Sequence, residues 1–532
     1  VGRLQRWRWP AILIASAVML PVSVILSSAF VSEPEIWAHL VENVLGGLLL
    51  NTFWLVLGVA LGTLVLGVSL AWLTAVCEFP GRRFFTWALL LPLAVPSYVT
   101  AFVAIGLLDF TGPVQTWLRA HDIALTLPIR SRAGVIAVMI LAFYPYVYLI
   151  ARNAFLTQGR RALEAAQSLG LGVRAGFFRV ALPMARPWIV GGVMLVIMET
   201  LADFGTVSVF NYDTFTTGIY KTWFSLFSLP AASQLASILI LVVFVIVVVE
   251  QQARARMRFT EVGKSGGRQA RIPLTRIKGI LAGLFSGLVL LLGFVIPLGQ
   301  LLIWASEVVQ NDLDSRYFEF LLHSLTLAGI AACVVALLAF LLAYAQRRHP
   351  DATTRVLVRV ATLGYALPGP VLAVGTYIPI AWMDAKLGEF GHLFGHTSGQ
   401  ILQGTLLTML VALAVRFMAV GFSPIDSHLQ RVTRSVDEAA RSLGVSGASL
   451  LRRVHLPIVR AGLLTAMTLV FVDVMKEMPI TLMTRPFGWD TLAVRVFEMT
   501  SEGEWERAAL PAVAIVLAGL IPIIMLTRHA ER

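Results

Sequence analysis

Charge and cysteine are what this sequence has least of. Only 14% of its 532 residues are Asp, Glu, Lys or Arg, and only two are cysteine. Cys77 and Cys333 both lie at or within apolar stretches, so no disulfide framework is implied and both read as small packed hydrophobes. The scarcity of charge, with 58% hydrophobic residues and a mean hydropathy of +0.80, excludes an ordinary soluble globular chain. A nucleotide-binding loop is also missing. "VGKSGG" has the end of one, but Arg258 stands where its first glycine belongs and no strand precedes it. Nor do a nucleophile, a base and an orienting group stand at recognisable spacing, so the chain does not read as an enzyme.

Long apolar runs are there instead. A helix needs about 20 residues to cross a bilayer, and ten uncharged runs of that order occupy 11–32, 44–77, 84–108, 133–151, 222–249, 279–306, 320–346, 360–383, 397–415 and 508–527. Two more begin at Pro187 and Ala461, each reaching an acid after twelve residues, at Glu199 and Asp473. The sequence therefore predicts an all-α integral membrane protein of about twelve transmembrane helices. The first run follows Arg3, Arg6 and Arg8, but it is long and leads into "SEPEIW" rather than a small-residue cleavage pattern; it is read as a retained anchor.

Net charge is +12, which fits the positive-inside rule rather than nucleic-acid binding. With a cytoplasmic N-terminus, alternation puts Arg82 and Arg83, 152–186, 254–278, 347–359 and 416–460 inside. Glu33, Glu35, 307–319 and 384–389 fall outside, and the C-terminus returns to the cytoplasm.

The chain also repeats itself. "EAAQSLGLGVRAGFFRVALP" at 164–183 returns as "EAARSLGVSGASLLRRVHLP" at 438–457, 274 positions later, and both fit E-A-A-x3-G-x9-V-x-L-P. Helix-forming alanines, a glycine that permits a sharp turn, a basic stretch and a proline that restarts a helix make each copy a short helix outside the bilayer. The same spacing relates Glu199 to Asp473 and Asp203 to Glu477, while Pro96 and Pro368 correspond in the third span of each half and predict kinked helices. Six spans separate the copies, so the halves are parallel. They are read as 1–252 and 279–532, two tandem six-helix halves joined by a basic cytoplasmic linker at 253–278.

The doubled loop resembles the EAA loop of the permease subunits of binding-protein-dependent ABC importers. "LPLAVPSYVTAFVAIGLLDFTGPVQTWLR", "METLADFGTVSVFNYDTFTTGIYKTW" and "KEMPITLMTRPFGWDTLAVRVFEMTSE" are similar to the fused ferric-iron permeases of that group. The resemblance implies that each loop docks a separate cytoplasmic ATPase, two copies per chain. Glu164, Ala165, Ala166, Gly170, Leu182 and Pro183 would be coupling residues in the first loop, and Glu438, Ala439, Ala440, Gly444, Leu456 and Pro457 in the second. ATP would be used by that partner, and no cofactor by this chain. It further implies a periplasmic iron-binding protein, the bacterial inner membrane, and ferric iron as cargo. Thiamine or another small cation is the alternative cargo. An ion-coupled secondary transporter is the remote alternative, and it leaves the paired loops unexplained.

Charge inside a span costs roughly 2.5–3.5 kcal/mol on insertion scales and so tends to face a bundle interior or an aqueous path. Glu199 and Asp203 share a helix face, as do Asp473 and Glu477, with Lys476 beside them. Around a pseudo-twofold axis the four acids would line a translocation pathway suited to a hard cation, with Glu199 and Asp473 as its transient ligands. For Asp203 and Glu477 a second reading stays open, as partners of Lys476 or of a helix end. His392 and His396, four apart, read as solvated surface, and "FYPYVYLIAR" at 143–152 as packing and an interfacial anchor.

Overall fold

The computed structural model describes residues 8–530 apart from 29, 31–33, 124–127, 160–169, 171, 256–270, 394–400 and 446. Among the described residues eleven helices are long and apolar enough to cross a membrane, and Ala352–Ala366 with Gly369–Glu389, bent by 114°, brings the number to twelve when the bent pair is counted as one span. Each apolar run of the sequence has its helix. One is displaced: the run at 397–415 is answered by a helix over Leu407–Gln430.

Two spans break where the prolines predict. Leu91–Ala94 is a 3-10 turn, Val95 is extended (φ −92°, ψ 121°), and a new helix, Ser97–Leu108, follows Pro96. In the second half the turn Leu363–Ala366 leads through an extended Leu367 (φ −85°, ψ 130°) and Pro368 into Gly369–Leu393. Proline brings no amide hydrogen and pushes the residue before it out of the helical region, so both halves turn at the same place for the same reason.

The chain packs as two compact units, one of Val1–Ala38, Gly218–Ile240 and Leu313–Val496, the other of His39–Thr217, Leu241–Asp312 and Phe497–Arg532. Neither coincides with a half read along the sequence, because each gathers helices from both sides of the linker. In the first unit the Arg8–Ser28 helix buries Ala11, Ile14, Ala15, Val18, Pro21 and Ile25, a stripe at helical period. Ala11, Ile14 and Ala15 join a core with Ala339, Phe340, Ala343 and Val358. Contact with the Gly369–Leu393 helix is close enough that a Cβ on Gly375 would lie 2.9 Å from the Pro21 carbonyl.

In the second unit the Gly46–Val76 helix lies along Arg132–Ala154. Gly58, Gly62 and Gly67 open a groove into which Ile136, Ile140 and Val147 fit; a Cβ on Gly67 would meet Val147 Cβ at 2.8 Å and the Tyr148 amide nitrogen at 3.0 Å. Lipid tails are as apolar as leucine, so helices in a bilayer gain from close van der Waals contact across small residues rather than from hiding apolar area. A short parallel strand pair, Cys77–Glu78 with Ile272–Pro273, ties the end of the linker to this unit. Arg82 and Arg271 reach Glu78 there at 3.1 and 3.6 Å.

Candidate functional site

The second repeated loop folds as the short helix Arg434–Ser442, carrying Glu438, Ala439 and Ala440. Glu438 and Ala439 face solvent and Ala440 is buried. The helix stops at Gly444, whose φ of +77° lies in the left-handed region that glycine enters without steric cost. Val445 N–H donates to the Ala440 carbonyl (2.9 Å) and Gly444 N–H to that of Arg441 (2.9 Å), closing the last turn in the manner of a Schellman cap. Leu443 projects from the turn, 81% exposed.

Leu456 and Pro457 then open the Leu456–Lys476 helix, after a π-helical turn at Leu451–His455. The wider turn sits where proline withholds an amide from the helical ladder. The first loop ends alike. A π-helical turn at Phe177–Ala181 precedes Leu182 and Pro183 at the start of Leu182–Ala202, and Gly170 is left-handed (φ +87°). Glu164, Ala165 and Ala166 lie outside the described residues.

A residue not singled out in the sequence fixes the second loop. Asp437, beside Glu438, accepts from Arg347 Nη2 (3.0 Å) and lies 2.7 Å from His455 Nε2. Burial works against its charge, but the His455 hydrogen bond and the Arg347 guanidinium prevail and hold its carboxyl below the ordinary carboxylate value.

The four intramembrane acids divide into two kinds. Glu199 and Asp473 are half-buried within their helices, and Asp473 acts electrostatically on Lys476. Asp203 and Glu477 stand at the breaks where those helices end. Asp203 accepts from Ser97 Oγ (2.8 Å), Thr206 Oγ1 (2.9 Å) and the Val207 amide (3.2 Å), while its own carbonyl accepts from Thr216 Oγ1 (2.6 Å). Glu477 accepts from the Ile480 amide (3.0 Å) and pairs with Arg416 at 3.4 Å. In both units, then, the acid caps the short helix beyond the break, which is the helix-end arrangement.

Each cap also joins that break to the proline break in its own unit. Ser97 follows Pro96. In the other unit the Arg416 guanidinium donates to the Leu367 carbonyl (2.9 Å), and a Cβ on Gly369 would come within 3.1 Å of Glu477 Oε1.

Positive-inside counting puts Arg416 in a cytoplasmic loop; the structure corrects this, placing it inside the Leu407–Gln430 helix. An apolar run cut at the first charge ends at 415, whereas "LAVRFMAV", apolar on both sides of the arginine, is the signal that the span continues. Among the described residues no group of three or more His, Cys, Asp and Glu side chains is arranged to hold a metal ion. His396 lies outside them, and the His392 side chain is likewise undescribed.

Eleven to twelve apolar spans among the described residues, a doubled register and a solvent-facing helix between two spans define a polytopic permease built by duplication. Residues 63–258 and 336–532 each match the family described as binding-protein-dependent transport system inner membrane component, and the chain belongs to that family. It is a multi-pass membrane component of bacterial transport systems rather than an enzyme.

Among its relatives, the Fe(3+)-transport system permease protein FbpB 2 of Haemophilus influenzae is 27% identical over 490 residues, 91% of this chain and 90% of that protein. The ferric transport system permease protein FbpB of Actinobacillus pleuropneumoniae is 22% identical over 82% of this chain and 63% of its own length. The putative 2-aminoethylphosphonate transport system permease protein PhnV of Salmonella typhimurium is 30% identical over 42% of this chain and 78% of its own.

Proposed function

We propose that this chain is the membrane permease of an ABC importer that takes ferric iron from a periplasmic binding protein and passes it to the cytoplasm. One observation carries the choice of cargo. Similarity to a protein named for Fe(3+) transport runs through both halves, 91% of the chain, whereas the phosphonate relative matches 42% of it. A half-length match speaks for the shared machinery; a match through both halves spans both copies of the repeat. Glu199 and Asp473, matched in register and half-buried in their spans, suit a hard cation in transit. Asp203 and Glu477 shape the path by holding the helix breaks.

In this reading the energy comes from a separate ATPase, two copies of which dock on the two loops at the cytoplasmic face. Both chain termini lie on that side. The exposed Arg434–Ser442 helix, ended by a left-handed glycine, offers Glu438 and Leu443 to such a partner. Glu164, Ala165, Ala166, Gly170, Leu182 and Pro183 take the corresponding role in the first loop, beside Ala439, Ala440, Gly444, Leu456 and Pro457 in the second.

The test is ATP hydrolysis in proteoliposomes holding this chain and its ATPase, with iron-loaded, thiamine-loaded and empty binding proteins. Stimulation by the iron-loaded form alone is expected. Stimulation by the thiamine-loaded form, or by none, in an assembled and active complex would overturn the cargo. Glu199→Gln combined with Asp473→Asn should cut iron uptake while leaving ATPase docking intact, and normal uptake would remove those acids from the path.

A further inference from the structure

The Arg434–Ser442 helix has nine residues, too few to be stable in water without outside support. Its support converges on Asp437. One carboxylate oxygen takes the bond from Arg347 and the other faces His455. Arg347 lies one residue from the end of the Ser315–Arg348 helix, and its guanidinium also donates to the carbonyls of Val432 (2.5 Å) and Leu429 (3.3 Å), beside the end of Leu407–Gln430. His455, with no exposed surface, immediately precedes Leu456–Lys476. Asp437 thus ties the exposed helix to the ends of two membrane spans through charge-assisted bonds, the strong kind, and Arg347 extends the tie to a third. The register of the repeat puts Leu163 and Ala181 where the second loop has Asp437 and His455, so the first loop cannot build this tie from the same residues.

We propose that Asp437 is a positioning residue that makes the second coupling helix move as one body with the Ser315–Arg348 and Leu456–Lys476 spans, so that the two docking loops transmit ATPase movement through unlike linkages. The proposal rests on the importer reading for its consequence in transport, and on geometry alone for the linkage.

Two measurements separate these. In the full complex in proteoliposomes, Asp437→Asn and Asp437→Leu should keep the ATPase bound and hydrolysing while iron moved per ATP falls by about tenfold or more, as loss of a charged hydrogen bond at a mechanical joint implies. Asp437→Glu should restore part of that ratio. A purely structural role lowers uptake and hydrolysis together with the amount of folded protein, and an unchanged ratio would overturn the proposal. Should Asp437→Asn not reach the membrane, His455→Gln, which leaves the Arg347 pair in place, is read for the same fall in the ratio.

Amide hydrogen exchange in the purified chain does not depend on cargo. Asp437→Asn should speed exchange across 434–442 about tenfold and leave 407–430 unchanged; equal exchange in both proteins would dispose of the linkage itself. If that exchange responds but the wild-type complex moves no iron, the importer reading fails and the linkage stands.

Discussion

Asp203 and Glu477 occupy matched positions, yet neutralising them should have unequal costs. Asp203 receives two hydroxyls and one amide. In Asp203→Asn the oxygen can keep the Val207 amide while the new NH2 faces Ser97 and Thr206, whose hydroxyls can rotate from donating to accepting. About 1 kcal/mol is the expected loss. Glu477 faces a guanidinium, which cannot accept a hydrogen bond. At 3.4 Å and an effective dielectric near 20, the attraction between unit charges is ~5 kcal/mol, opposed by the cost of burying both.

Removing one partner of such a pair leaves the other charge buried, so Glu477→Gln should cost about 3 kcal/mol or more. Arg416→Met combined with Glu477→Gln should cost less than the sum of the single changes. Thermal midpoints of the purified chain in detergent give the ranking. Asp203→Asn falling as far as Glu477→Gln, or a strictly additive double variant, would refute the account of both breaks.

Three further outcomes follow from the geometry. Gly67→Ala drives a Cβ against backbone at Tyr148, whereas the Cβ of Gly58→Ala meets only the movable Ile136 side chain; the first should lose about 1–3 kcal/mol and the second less, with Val147→Ala recovering part of the Gly67→Ala loss in the same melting assay. Gly444 has open space around its Cα, so Gly444→Ala should cost only its left-handed backbone, about 1 kcal/mol, and Gly444→Asn less. The Asp437 carboxyl titrates below its ordinary 3.8; a depressed value means that its stabilisation is complete above about pH 4 and is lost as pH falls through the folded value. The melting difference between wild type and Asp437→Asn should accordingly shrink as the pH falls below about 4, and a difference that persists undiminished at about pH 2 would assign the effect to another group.

The number and order of the spans were legible because the bilayer imposes a length, and composition reports length directly. Breaks at Pro96 and Pro368 were legible because proline acts locally. Gly444 in a left-handed turn was legible from the spacing of a helix and its stop. Arg416 was not, since a charge looks like the end of a span until its partner is known, and Glu477 lies 61 positions further on. The roles of Asp203 and Glu477 stayed open for the same reason: helical spacing put them on one face with Glu199 and Asp473, but the helices end one residue earlier, at Ala202 and Lys476. Asp437 was hidden beside a stronger motif, and its partners Arg347 and His455 come from separate helices. The exchange of helices between units left no signal at all, because a membrane helix is apolar on every side and only the sizes of its residues distinguish the face that packs.

That exchange has a consequence for synthesis. The Arg8–Ser28 helix packs against a core drawn from beyond residue 313, so a ribosome adding 5–20 residues per second leaves it waiting roughly 15–60 s for its neighbours. During that interval its packing stripe must be covered by lipid, by the insertion machinery or by a chaperone. Either half made alone would keep a helix whose partners lie on the missing piece, and joining the halves in one polypeptide guarantees that each arrives with the other.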